Sequence, residues 1–76
     1  LRAGASEEKM SLQRKIGEDV ARARKQVGMT QQELARYAKT RQANISRLER
    51  GIQNPSVEFL ERIAKSLGRK IKIRID

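Results

Sequence analysis

The segment Gln42–Arg50 carries the side chains best suited to reading a nucleic acid. At helical spacing, Ile45 and Leu48 fall on one side, and Gln42, Ala43, Ser46 and Arg47 on the other, with Asn44 near the edge. Gln and Asn amides can bind adenine through two hydrogen bonds. An Arg guanidinium can do the same to guanine, and an Ala methyl can pack on the thymine methyl. Residues 36–50 hold Arg36, Lys39, Arg41, Arg47 and Arg50 against one acid, Glu49. The plain alternative is a solvated helix face with no partner. Against it stands the size: a helix from Gln42 to Arg50 is ~13 Å long, comparable with the ~12 Å width of the major groove.

Composition narrows the other options. The 76 residues allow one small domain with a thin core, for which dimerisation is a common remedy. With Cys 0 and His 0, disulfide scaffolds, thiol catalysis and His/Cys metal sites are excluded. The carboxylates are scattered, and neither a nucleophile–base pair nor a phosphate-cradling glycine loop is visible, so no enzyme, cofactor or metal is expected. Lys+Arg 18 against Asp+Glu 9 gives a net charge of +9, which points to a polyanionic partner. Tyr37 and Phe59 are the aromatic residues, too few for the base-stacking platforms that bind single strands or RNA. Duplex DNA is the expected partner. No apolar run approaches the ~18–20 residues of a membrane span and no signal-peptide core is present, so a soluble chain is expected.

Several elements must position these side chains. Residues 1–11 show no period and read as a flexible arm or expression remnant, with Met10 a candidate native start. From Leu12 the apolar residues Leu12, Ile16, Val20, Ala23 and Val27 line one helix face, and Gly28 fits a left-handed cap. Gly17 lies inside this helix and marks either close packing or a helix that firms up only beyond it. Thr30 and Glu33 form a capping box, with Met29 and Leu34 placed as its hydrophobic staple, so a second helix starts at Gln31 and buries Leu34, Ala35 and Ala38. Lys39-Thr40-Arg41 breaks the period. The third helix runs from Gln42 to Arg50 and ends at Gly51, and Ser56 caps a fourth carrying Val57, Leu60, Ile63, Ala64 and Leu67. Finally, Ile71, Ile73 and Ile75 alternate with Lys70, Lys72 and Arg74, the pattern of a strand that needs a partner, expected from another chain.

A short helix, a three-residue break and a second helix describe a helix-turn-helix, in which the second helix enters the major groove. Gln31, at the start of the first of these helices, could donate to a phosphate with help from the helix dipole; by itself it is equally an exposed helix former. Arg24, beside the apolar face of the first long helix, and Glu49, next to core Leu48, are either a buried pair or two solvated charges, and spacing alone does not decide.

The runs MTQQELA from Met29, NISRLERG from Asn44 and NPSVEFLERIAKSLG from Asn54 resemble the XRE/Cro family of helix-turn-helix repressors, over about residues 16–68. Within it, the NISRLERG run, the Asn-Pro-Ser turn and the basic terminal strand look most like HigA-type antitoxins. The resemblance implies an all-α helix-turn-helix bundle of about four to five helices, here followed by a short C-terminal β-strand. It implies base contacts from Gln42, Ala43 and Arg47, and phosphate contacts from Gln31, Arg41 and Asn44, to which basic Lys39 is added. It also favours the Arg24–Glu49 pair. Two positions depart from the pattern: Lys39 stands where the family usually has Gly, and Arg41 where it usually has a Ser/Thr cap. A left-handed Lys39 would be strained, so either the turn differs or Thr40 supplies the cap.

The expected organisation is therefore an arm over 1–11, a DNA-binding domain over 12–68 and a pairing strand over 69–76. The expected function is a homodimeric repressor of palindromic double-stranded DNA, acting as the autoregulating antitoxin of a type II toxin–antitoxin pair. The alternatives are a phage-type or restriction-system regulator without a toxin, and a module that neutralises a small toxin protein by strand addition.

Overall fold

The computed structural model describes the backbone of residues 2–68 and side chains from Met10 onward. Four helices occur among the described residues: α1 (Arg2–Gln26), α2 (Gln31–Tyr37), α3 (Gln42–Arg50) and α4 (Val57–Gly68). The strand expected over 69–76, with Ile71, Ile73 and Ile75, lies outside the described residues.

The expected arm over 1–11 needs correction, because α1 begins at Arg2 rather than Leu12. Ala3, Ala5, Glu7, Glu8, Lys9 and Met10 are good helix formers with no proline among them, so a helix nucleated further on propagates backward at little cost. An apolar-period reading misses such an extension because the sequence of residues 2–9 carries no apolar period. Leu12 accordingly does not join the inner face; it is 58% exposed, and the face starts at half-buried Ile16.

Three helix ends share one chain-reversal geometry. Gly28 (φ 76°) and Gly51 (φ 73°) are left-handed, and Lys39 (φ 58°) is the third such residue. At each, the following residue donates back to the carbonyl five positions earlier: Met29 N–H to Arg24, Thr40 N–H to Ala35 and Ile52 N–H to Arg47. This is the Schellman closure, which satisfies carbonyls the helix leaves unpaired. The turn between α2 and α3 thus keeps the glycine-type conformation with lysine in it. Thr40 does not replace the cap: Arg41 is the N-cap of α3, in extended conformation, with no side-chain capping bond. At α2 the expected capping box is present, Thr30 Oγ1 accepting from Glu33 N–H at 3.0 Å and Glu33 Oε1 from Thr30 N–H at 2.9 Å.

The core gathers Val20, Met29, Leu34, Ala35, Ala38, Ile45, Leu48, Phe59, Ile63 and Leu67. Gly17 takes part by its lack of a side chain. A Cβ there would stand 2.3 Å from the Leu48 carbonyl oxygen and 2.7 Å from that of Glu49, so α1 lies directly on the last turn of α3. Of the two readings of Gly17, close packing is the one realised. In α4 the inner face is turned from the expected one: Phe59, Ile63, Ser66 and Leu67 are buried, whereas Val57 is 74% exposed and Leu60 and Ala64 are half-buried. Val57 follows directly on the Ser56 cap, whose Oγ accepts from Phe59 N–H at 3.0 Å. Buried Ser66 fits this face because its hydroxyl donates to the Arg62 carbonyl at 2.7 Å.

Candidate nucleic-acid interface

Burying Ile45 and Leu48 fixes the rotation of α3 and turns its opposite face outward. Gln42, Ala43 and Arg47 are exposed there, and Asn44 and Ser46 are half-buried. The extended Arg41, whose guanidinium no capping bond engages, precedes the helix, and exposed Lys39 sits in the turn. Arg36 and Arg50 are exposed as well. The ion pairs seen among the described residues, Arg22–Asp19 and Arg24–Glu49, involve none of these cations.

The structure brings Arg24 and Glu49 together. Arg24 Nε donates to Glu49 Oε2 at 2.6 Å and Nη2 to Oε1 at 3.1 Å, and Nη1 donates to the Met29 carbonyl at 2.8 Å. Gln31 Nε2 adds a third donor to the carboxylate at 2.9 Å. A buried charge pair is tolerated when further hydrogen bonds support it, and here each guanidinium nitrogen and both carboxylate oxygens have a partner. The cluster ties α1, the loop before α2, α2 and α3 at one point. From it a longer contact of 3.5 Å runs outward, Gln42 Nε2 to Gln31 Oε1. Half-buried Gln31 is therefore engaged on two sides, held rather than free at the start of α2.

A second chain of bonds crosses the outer face. Asn44 Nδ2 donates to Thr40 Oγ1 at 2.8 Å, and Arg47 Nη1 donates to Asn44 Oδ1 at 2.9 Å. Sequence reasoning missed this chain and the Gln31–Glu49 bond. The first was within reach, since spacings of four and three residues put side chains side by side on a helix. The second joins residues distant in sequence and had no local signal. No group of three His, Cys, Asp or Glu side chains able to hold a metal ion occurs among the described residues. Nor is any helix among them long and apolar enough to cross a membrane.

The helix-turn-helix family profile matches residues 20–73, which take in α2, the turn, α3 and α4. The chain belongs to the XRE-type helix-turn-helix family. Among relatives of this helix-turn-helix protein is an uncharacterised HTH-type transcriptional regulator of Sinorhizobium fredii, 37% identical over 59 residues, covering 78% of this chain and 77% of the relative. A competence pilus inhibition repressor of Acinetobacter baylyi is 47% identical over 51 residues, covering 67% of this chain and 46% of that protein.

Proposed function

We propose that this chain is a sequence-specific double-stranded DNA-binding regulator that represses transcription. The observation that carries the reading is the outward face of α3, where Gln42, Ala43 and Arg47 stand exposed on a helix locked from behind by Ile45, Leu48 and the Glu49 cluster. Rigid placement matters because base contacts discriminate only when donors and acceptors arrive in register. In this account Gln42 reads adenine, Ala43 meets a thymine methyl and Arg47 reads guanine. Gln31, Lys39 and Arg41 contact phosphates and set the register. Membership of the family supports the reading, as do the names of the two relatives, one a transcriptional regulator and the other a repressor.

The regulator acts as a homodimer on a palindromic operator, with the segment 69–76 pairing the two copies through Ile71, Ile73 and Ile75. The alternation of these residues with basic ones also favours the narrower antitoxin role, in which the same segment adds to the sheet of a small toxin. Selection from a randomised duplex library, followed by mobility shifts, tests the central claim. The unaltered chain is expected to enrich one palindromic sequence, and Arg47→Ala to lose about 1–3 kcal/mol of discrimination at one base pair. Equal loss on selected and random duplexes would limit Arg47 to the phosphates. An Ile73→Glu variant that remains dimeric in sedimentation would take the dimer contact away from the tail.

A further inference from the structure

The chain Thr40–Asn44–Arg47 lies apart from the Arg24–Glu49 cluster, and it engages both polar atoms of the Asn44 amide. Nδ2 donates to Thr40 Oγ1 at 2.8 Å and Oδ1 accepts from Arg47 Nη1 at 2.9 Å. Asn44 is half-buried while Arg47 is exposed, so the bond pins the head of a long solvent-side side chain to a fixed amide. Among the described residues nothing engages the Nε–Nη2 edge of Arg47, and that edge is a complete two-donor fork of the kind that matches guanine O6 and N7. The geometry points to Thr40 and Asn44 as positioning residues that set the base specificity of Arg47, an inference that rests on the DNA-binding reading above. Asn44 in this account is not a phosphate contact, and Thr40 governs a base preference without touching DNA.

The physical reason is preorganisation. An arginine loses several rotatable bonds' worth of freedom when it docks, and a side chain already held in place loses less on binding. The bond also restricts the directions in which the fork can point. A released Arg47 meets other base edges as readily as guanine, so releasing it flattens preference more than it weakens binding. Thr40 is the place to cut the chain, because its hydroxyl serves Asn44 and its backbone N–H, bonded to the Ala35 carbonyl, is untouched by a side-chain change.

The test uses the full chain, the duplex enriched by the unaltered protein from a randomised library, its single-base variants, and a random-sequence duplex. Thr40→Val is expected to lower preference at the guanine pair about 3- to 10-fold. Affinity for random duplex and the slope of log affinity against log salt should stay unchanged, and Thr40→Ser should restore the preference. If Thr40→Val does not fold, Asn44→Ala cuts the same chain at its middle and carries the same expectation. Full retention of the preference overturns the inference. So does a uniform loss on all duplexes with a salt slope shallower by about one, which would make the residue a phosphate contact. A chain that binds no duplex at all fails at the earlier step and sinks the DNA-binding reading itself, whereas binding with unaltered preference in the variants sinks this inference alone.

Discussion

Replacing Glu49 with alanine should cost this protein a large share of its stability, and the structure sets the size. The side chains of Arg24 and Glu49 are 11% and 7% exposed, and the carboxylate accepts from Arg24 Nε, Arg24 Nη2 and Gln31 Nε2. Removing it leaves a buried guanidinium with only the Met29 carbonyl as partner. Breaking one side of a buried pair costs about 3–5 kcal/mol. Half-buried Gln31 can turn to water, which puts the expected loss at about 3–4 kcal/mol. A chain of this length has roughly 4–11 kcal/mol in all. The melting temperature should therefore fall by about 12–32 °C. Urea unfolding of Glu49→Ala, Arg24→Met and the Arg24→Met/Glu49→Leu double variant forms the decisive cycle. The double variant, with both charges gone, should lie within about 1 kcal/mol of the parent, far short of the summed single losses. The effect should persist in about 1 M salt, because buried charges are poorly screened. A single-variant loss under about 0.5 kcal/mol, or losses that simply add, would refute the argument.

Three further outcomes follow from other sites. Gly17→Ala places a methyl 2.3 Å from the Leu48 carbonyl oxygen, so it should destabilise by about 1–3 kcal/mol despite alanine's better helix propensity; a more stable variant in thermal melts would mean α1 does not lie on α3 as described. Lys39→Gly removes a left-handed lysine (φ 58°) and should stabilise by about 0.5 kcal/mol after the entropy of glycine is counted, a gain that urea midpoints would register; a net loss would show that the lysine conformation is not strained. Operator binding by a dimer should fall with salt at a log–log slope of about −5 to −7, given the exposed set Arg36, Lys39, Arg41, Arg47 and Arg50; fluorescence titrations giving a slope near zero would exclude phosphate contact.

The sequence by itself determined the elements whose cause is local. Thr30 with Glu33, Ser56, and the glycines at 28 and 51 act within a few residues of themselves, so the end of α1, the start of α2, the end of α3 and the α4 cap could be placed without a fold. The outward face of α3 was equally legible, since Ile45 and Leu48 alone fix its rotation. Local pattern failed where burial depends on what lies opposite. Val57 and Leu12 have the right period yet stay exposed, whereas Phe59 and Ser66 are buried on the inner face of α4. Lys39 shows the same limit from the other direction: the closure of Thr40 on Ala35 imposes a backbone shape that the residue type disfavours. Above all, the choice between a buried Arg24–Glu49 pair and two solvated charges belonged to the tertiary structure, because 25 residues separate the partners and only the packing of α1 on α3 at Gly17 brings them within bonding distance.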